Sequence, residues 1–247
     1  ARLLRPGALD PERPCLVRGA AEHWPCLAWS RAELLRRLGP LAAPWRPCFG
    51  DWGHRPEAGA PGGVRTLAEY LASASPRPGV LFDQDDPALP VHAALAAAHD
   101  VPPLLAALHG HRRAVKPIFS AGRFNTGVGF HSHPESWLAQ LCGRKLWWLV
   151  PRGRPHGDIA APWRYLLPGR HPPNALFCVC QPGEVLYLPP QWAHATWNLD
   201  DVSLSLGRIG VEEGAGSPQA EVLQALRGAA LGAAAAPPAL PARPSGP

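Results

Sequence analysis

The sequence predicts a mainly β protein of the α+β class, in which helices flank a barrel or sandwich of short strands. The pattern changes near residue 115, after which short, mostly apolar runs alternate with breaks that contain Pro, Gly, Asn or Asp. Two helix start signals precede that change, because Ser30 and Thr66 each stand three positions before a glutamate. The 247 residues, 46% of them hydrophobic, are enough for a full core.

Residues 1–114 are predicted to form an N-terminal flank of strands and helices. A Pro/Gly-rich connection separates the two capped helices. In chain order, the predicted elements are a strand at 14–18, a helix from Ser30 that stops at Gly39, a helix from Thr66 to about 74, a strand at 80–82, and short helices at 88–98 and 103–109.

Residues 115–210 are predicted to form the barrel core. Residues 134–142 fit either a strand or a short helix. The predicted strands are 124–133, 145–150, 175–180, 184–188, 193–198 and 202–208. Ser217 and Pro218 are typical of a helix start, which predicts a C-terminal helix within 211–235, and the Pro/Ala/Gly tail 236–247 is expected to be disordered.

Charge and composition argue against two classes of partner. The formal net charge is +5, but the 24 Lys and Arg are scattered and do not alternate with aromatic residues, so we expect no nucleic-acid partner. No apolar run approaches the ~18 residues of a membrane span, so we expect a soluble protein. The six cysteines are dispersed, which favours core residues over a disulfide scaffold.

The chain begins at Ala1 and contains no methionine, so we expect an N-terminus that is truncated. A targeting peptide would lie in the missing part. The compartment therefore stays open between cytoplasm or nucleus and the lumen of the endoplasmic reticulum, and the oligomeric state is not predicted.

Three histidines in two segments form a candidate metal site. His131 and His133 lie two positions apart, so in an extended strand both side chains point to the same face. His194 lies on a separate predicted strand. Calcium and magnesium prefer oxygen ligands, so three imidazoles at one point favour iron(II), manganese, zinc or copper. The sequence therefore predicts His131, His133 and His194 as metal ligands and as catalytic residues.

The segment around His194 has a second pattern. Gly183, Pro189, Gln191, His194 and Asn198 fit G-x5-P-x-Q-x2-H-x3-N. This resembles the second signature of the cupin superfamily, except that Gln191 stands where glycine is usual. The resemblance implies a double-stranded β-helix, a jelly-roll barrel whose open mouth leaves metal coordination positions for a ligand or water.

Further segments narrow the resemblance. Residues 143–151 resemble the G-x-K-x-W-x-L-x-P strand of JmjC-domain proteins, and 183–198 resemble their G-E-x-L-Y-x-P-x-x-W-x-H segment. Residues 202–206 are similar to the strand that follows, and 13–20 are similar to the N-terminal part of the same family. The resemblance covers about residues 10 to 210, and its motifs are specific from residue 129 onward.

The resemblance to JmjC-domain proteins implies an iron(II) and 2-oxoglutarate site that hydroxylates a protein side chain or demethylates lysine. His131 and His194 match the two histidine ligands of the family. Lys145 matches the residue that pairs with the distal carboxylate of 2-oxoglutarate, and a buried ammonium needs such a partner. The expected partner is a protein or peptide substrate.

This chain departs from the family pattern at three positions. His133 stands where the middle ligand is ordinarily Asp or Glu, and Glu135 is the alternative on the same strand parity. Val128 stands where a polar residue is usual, so Thr126 is the nearest candidate for a hydroxyl that helps to bind the cofactor. Gly207 occupies the place of an asparagine sometimes found in the last barrel strand.

The His-x-His form is most similar to a small JmjC-only branch that includes a protein of the endoplasmic reticulum lumen. Three functions follow from these observations. The first is an active 2-oxoglutarate-dependent dioxygenase, and the second is a JmjC-like module with weak or absent catalysis that binds protein partners. The third is a cupin enzyme that uses manganese or zinc on a small molecule.

Overall fold

The structure, a computed structural model, describes residues 10–48, 63–73, 79–84, 86–101, 115–154, 165–166, 170–172 and 174–210. Within these ranges the helices are α1 (Arg31–Leu38), α2 (Leu67–Ala72) and α3 (Pro90–Ala96), with a 3₁₀ turn at Pro25–Ala28. The strands are β1 (Cys15–Val17), β2 (Ala42–Pro47), β3 (Val64–Thr66), β4 (Gly79–Asp83), β5 (Val115–Gly122), β6 (Gly127–His131), β7 (Ser136–Cys142), β8 (Lys145–Val150), β9 (Leu176–Cys180), β10 (Val185–Leu188), β11 (Ala193–Asn198) and β12 (Ser203–Gly210).

The strands form two antiparallel sheets that face each other. The large sheet has the order β1-β10-β7-β12-β5-β4-β2-β3, and the small sheet has the order β6-β11-β8-β9. From β5 to β12 the chain passes to the opposite sheet at every connection except the one between β8 and β9, which pair with each other. This alternation is that of a jelly roll, so the predicted mainly β fold with flanking helices is confirmed.

The helices begin where the sequence predicts. The Ser30 hydroxyl accepts a hydrogen bond from the Glu33 N–H, which caps α1. Thr66 and Glu69 form a reciprocal capping box at the start of α2. The sequence did not decide between a strand and a short helix for residues 134–142. The structure has the strand β7 there, within the large sheet.

Two strand predictions need correction. The predicted strand 124–133 is shorter, because a turn with Asn125 in the left-handed region (φ 63°) separates β5 from β6. The prediction did not include β5, which lies between β12 and β4, or β2 and β3, which lie at the edge of the large sheet. Pro44 and Pro47 concealed β2, because proline cannot donate to a ladder and is tolerated only at sheet edges.

Alternating residues of the strands divide the core into layers. The outer face of the large sheet packs against the helical flank. The buried side chains of this layer include Phe119 and Trp137 from the sheet and Trp24, Leu34 and Tyr70 from the flank. The barrel interior between the sheets contains Ile118, Leu138, Trp147, Leu149, Cys180, Leu186, Leu188 and Ile209. The outer face of the small sheet contains Phe130, Trp148, Val150, Ala195 and Trp197.

Some predicted features lie outside the described residues. These are the short helix at 103–109, the C-terminal helix within 211–235 and the tail 236–247. The proposed boundaries at 114, 210 and 235 therefore stay predictions. None of the helices in the described ranges is long and apolar enough to cross a membrane.

Gly207 provides a test of the close packing between β12 and β7. A Cβ atom at this position would lie 2.0 Å from the carbonyl oxygen of Trp137, a backbone atom that cannot yield without moving β7. We expect Gly207→Ala to lower the free energy of unfolding by about 2 kcal/mol, measured by urea denaturation. Arg208→Ala, at the adjacent exposed position, should change it by no more than about 0.5 kcal/mol. Equal stability of the Gly207 variant and the parent would contradict this packing.

Candidate metal centre

Strand pairing brings the two histidine segments together. His131 ends β6 and lies directly opposite His194 of β11 in the antiparallel register. His133 follows two residues after β6. The second chain segment is held there by Gln191, whose backbone N–H donates to the His133 carbonyl at 2.9 Å. Two sequence segments about sixty positions apart therefore meet at one end of the barrel.

Gln191 explains a detail of the motif. Its φ of 61° is in the left-handed region, where glycine is favoured because it has no Cβ. The cupin signature has glycine at this position, and here glutamine adopts a left-handed conformation that glycine adopts readily. Its side-chain oxygen accepts a hydrogen bond from the Ser132 hydroxyl at 3.2 Å, which links the two histidine segments a second time.

The three imidazoles converge. The ring centroids are 4.2 Å apart for His131 and His194, 4.6 Å for His133 and His194, and 5.4 Å for His131 and His133. One ligand nitrogen from each ring can be chosen so that all three lie within 4.8 Å of one another. This spacing is suited to three nitrogens around a single ion.

Each histidine has its orientation set by a backbone carbonyl. The Nδ1 atom of His131 lies 2.9 Å from the Gly129 oxygen, that of His133 lies 2.6 Å from the Pro134 oxygen, and that of His194 lies 2.9 Å from the Trp192 oxygen. Such contacts assign the proton to Nδ1, so Nε2 is the nitrogen with the lone pair in all three rings. The site therefore presents three equivalent neutral donors.

The surroundings keep these rings uncharged. Burial lowers the pKa of His131 to about 4, with a further contribution from the neighbouring His133. Burial also lowers the pKa of His133 and, together with its two histidine neighbours, holds the pKa of His194 well below its usual value. Neutral imidazoles are the form that binds metal ions, so the site is ready for a cation at neutral pH.

The donor set decides which ions fit. Among the described residues the cluster consists of the three histidines and includes no carboxylate, so Glu135 lies outside it. Three neutral nitrogens favour iron(II), manganese, zinc or copper over calcium or magnesium. An ion bound here would have no negative ligand from these side chains, so an anion beside it would be stabilised strongly.

Lys145 is the second unusual feature of the barrel interior. Its side chain is 2% exposed, and its ammonium donates to the Ser120 hydroxyl at 3.0 Å. Among the described residues no carboxylate forms an ion pair with it. Burial lowers its pKa to about 8. A buried ammonium in this state fits a carboxylate of a bound organic acid.

Lys145 and the histidines lie at opposite ends of the same strands. Lys145 pairs with Asn198, whereas His194 pairs with Leu149. His194 and Asn198 are four residues apart on β11, which corresponds to about 13 Å. The structure thus places the predicted metal ligands and the predicted acid anchor inside one barrel, separated along its length.

Thr126 lies in a different environment from the one the sequence suggests. Its hydroxyl donates to the Arg123 carbonyl at 2.7 Å and accepts from the Asn198 side chain at 3.0 Å. These bonds hold the turn between β5 and β6. The hydroxyl that contacts the Lys145 ammonium belongs to Ser120 and not to Thr126.

Sequence reasoning missed Ser120 and Ser136. Ser120 lies on β5, where Ile118 faces the interior and Phe119 faces the outer layer. Had residues 115–122 been predicted as a strand, this alternation would have placed the Ser120 side chain in the interior. Ser136 starts β7, is 0% exposed, and its hydroxyl has no hydrogen-bond partner among the described residues. Ser136 lies two residues before Leu138 on β7, so its side chain points to the same face, toward the barrel interior.

Comparisons with known proteins agree with the motifs. JmjC domain-containing protein 8 of Homo sapiens is 39% identical over 93 residues, which cover 34% of this chain and 35% of that protein. Lysine-specific demethylase 8 of Xenopus tropicalis is 22% identical over 227 residues, covering 78% of this chain and 47% of that protein. The 2-oxoglutarate and iron-dependent oxygenase JMJD4 of Gallus gallus is 35% identical over 82 residues, covering 27% of this chain and 19% of that protein.

No family model matches the chain. The matched segments span less than half the length of each of these three relatives. The similarity to JmjC-domain proteins that the motifs predict is nevertheless confirmed, because these relatives carry that name or the names of related demethylases and oxygenases.

Removal of one histidine tests the metal centre. We expect His194→Ala to weaken binding of Co(II) by at least about a hundredfold, because changes that only disturb the support of a ligand already cost 10–100-fold. The measurement is anaerobic titration of metal-free protein, followed by cobalt absorption. His23→Ala removes an exposed histidine and should bind Co(II) like the parent. Unchanged cobalt binding by His194→Ala would exclude this site.

Lys145→Met tests the cost of the buried ammonium. Because the pKa of Lys145 is lowered in the folded protein, the unfolded chain binds more protons between pH 8 and 10.5, so the stability of the parent rises with pH in that window. We expect the variant to be more stable than the parent by about 2 kcal/mol at pH 7, with the difference shrinking toward pH 10. Urea denaturation at both pH values measures it. Lys116→Met is the matched control, and a gap that is the same at both pH values would contradict the assignment.

Proposed function

We propose, on the premise that this chain is related to JmjC-domain proteins, that it is an iron(II)- and 2-oxoglutarate-dependent oxygenase that hydroxylates a protein side chain. His131, His133 and His194 hold the metal through Nε2. Lys145, with Ser120 beside it, binds the distal carboxylate of 2-oxoglutarate. When bound, the iron and the acid supply the oxidising chemistry, in which dioxygen is consumed and the acid is converted to succinate and carbon dioxide.

One observation carries this proposal. The barrel combines a cluster of three neutral imidazoles with a buried ammonium whose described hydrogen-bond partner is a neutral hydroxyl. The first group suits a transition-metal ion, and the second requires an anion. A ligand that satisfies both ends of the barrel interior has an acidic group at each end. A short dicarboxylic acid has this property, and 2-oxoglutarate is such an acid.

The chain itself contributes binding and orientation. The backbone carbonyls at Gly129, Pro134 and Trp192 keep each imidazole in one tautomer and one direction. The apolar side chains of the interior, such as Leu149 and Leu188, limit water around the bound acid. A less polar interior strengthens the attraction between Lys145 and a carboxylate.

A protein substrate is supported by the names of two relatives. Lysine-specific demethylase 8 and Arginine-specific demethylase JMJ22 are named for chemistry on lysine and arginine, and both align over 78% of this chain. We therefore propose a peptide side chain, presented at the histidine end of the barrel, as the group that is oxidised.

Anaerobic binding followed by turnover tests this function. We expect the iron-loaded protein to bind 2-oxoglutarate, and to release succinate in the presence of oxygen and a peptide substrate from a lysine- and arginine-containing library. Lys145→Met should abolish acid binding while it leaves metal binding intact. The absence of 2-oxoglutarate binding at millimolar concentration would contradict the proposal.

His133 favours a second candidate function. It replaces the carboxylate ligand of the family pattern with a neutral imidazole, which leaves the metal centre one charge more positive. A barrel that retains the metal only for stability would serve as a platform for protein partners. In that case His131→Ala would lower metal content or thermal stability but would leave partner binding unchanged, and succinate would not form.

A further inference from the structure

Four tryptophans have buried indole N–H groups with no hydrogen-bond partner in the described structure. A buried donor of this kind has lost its water without compensation, so each instance needs a physical reason. The four residues are Trp24, Trp137, Trp147 and Trp148.

Only one of these four side chains belongs to the barrel interior. Trp24 and Trp137 pack on the outer face of the large sheet, and Trp148 packs on the outer face of the small sheet. Trp147 packs with Leu149 in the interior cluster. The unpaired N–H of Trp147 is therefore the one that lies in the space between the two sheets.

Trp147 lies between the two ends of the proposed site. Its ring centroid is 5.8 Å from that of His194, one of the predicted metal ligands. Lys145 is two residues earlier on β8, so both side chains point to the same face. Trp147 is thus two residues closer than Lys145 to the histidine end of β8, on the same inner face, so it lies along the strand between the ammonium and the histidines.

We propose that the indole N–H of Trp147 donates a hydrogen bond to the organic acid that Lys145 anchors. This inference rests on the proposed function and identifies a further binding residue for the same site. It explains why a buried donor is left unpaired in the barrel interior, because its acceptor arrives with the ligand.

The donors define the chemical class of the ligand. The Lys145 ammonium, the Trp147 N–H and the Ser136 hydroxyl can all donate, and a cation at the histidines also attracts negative charge. The Asn198 side-chain oxygen, opposite Lys145 on β11, is the one acceptor among these buried interior atoms without a described partner. Because donors predominate, a ligand with mainly acceptor atoms, such as a 2-oxo acid with two carboxylates, suits this interior best.

Adjacent residues provide a matched pair of variants. Trp147→Phe and Trp148→Phe each remove one unpaired indole N–H and keep an aromatic ring, on opposite faces of the same strand. We expect Trp147→Phe to bind 2-oxoglutarate about tenfold more weakly than the parent, since a hydrogen bond to a charged acceptor is lost. Trp148→Phe should bind it like the parent. Both are measured by calorimetry on anaerobic, zinc-loaded protein, and thermal unfolding confirms that each variant is folded.

A direct measurement on the parent protein does not depend on the variants. With tryptophan labelled by ¹⁵N, the indole N–H signal of Trp147, assigned through bonds, should move downfield when 2-oxoglutarate is added to the zinc-loaded protein. The signal of Trp148 should stay in place. Zinc keeps the sample diamagnetic, and no turnover is needed.

The outcomes separate the inference from the proposed function. If 2-oxoglutarate binds but the Trp147 signal does not move, or if Trp147→Phe binds the acid as tightly as the parent, the inference is overturned and the function stands. If the parent binds no 2-oxoglutarate at millimolar concentration, both are overturned. A shifted Trp147 signal with a tenfold loss confined to Trp147→Phe supports the inference.

Discussion

The antiparallel pairing of β6 with β11 is the constraint on which the rest of the site depends. It sets His131 opposite His194, and the contact between Gln191 and the His133 carbonyl then holds the third ring beside them. The pairing is close: a Cβ atom on Gly127 would lie 2.0 Å from the Thr196 carbonyl oxygen. Because side chains alternate along a strand, a slip of one residue would turn His194 to the outer face and dismantle the cluster. Such a slip would also turn the apolar outer residues of β11, Ala193, Ala195 and Trp197, toward the interior and expose the polar inner residues to the outer apolar layer, which opposes it.

The barrel interior carries stability costs that a ligand would relieve. Lys145 has a neutral hydroxyl as its described partner, and the Trp147 N–H and the Ser136 hydroxyl have none. Unpaired buried donors and a desolvated charge each oppose folding. They lie on the inner face, whereas large apolar side chains dominate the outer face of the large sheet. The outer layers also contain the unpaired indole N–H groups of Trp24, Trp137 and Trp148, but their apolar packing offsets these costs and stabilises the barrel.

His133 is a neutral imidazole where the resembled pattern has an acidic ligand, so an ion held by the three histidines would lack that negative charge. All three rings contact a backbone carbonyl through Nδ1, so the third imidazole is held in the same manner as the other two. The cluster consequently consists of three similarly oriented neutral imidazoles at one end of a jelly-roll barrel. An anionic ligand near a bound ion would then be the main source of charge balance, which would couple the histidine end of the barrel to the acid that we propose Lys145 binds.

Local patterns were sufficient to predict the mainly β fold and the two helix caps, because short motifs and strand periodicity are properties of neighbouring residues. The same patterns selected His131, His133, His194 and Lys145 as candidate site residues. Tertiary structure decided the rest. Periodicity shows that Trp147 and Trp148 lie on opposite faces of β8, but only pairing with β9 and β11 and packing against the large sheet determine which face is inside. The same holds for Ser120, which accepts a hydrogen bond from Lys145 across the barrel, and for Thr126, whose hydroxyl donates to a carbonyl in a turn.

The prolines of the edge strand β2 prevented its prediction, because local propensity does not show that an edge position tolerates proline. Sequence patterns thus selected the candidate site residues, and long-range strand pairing decided which of them meet.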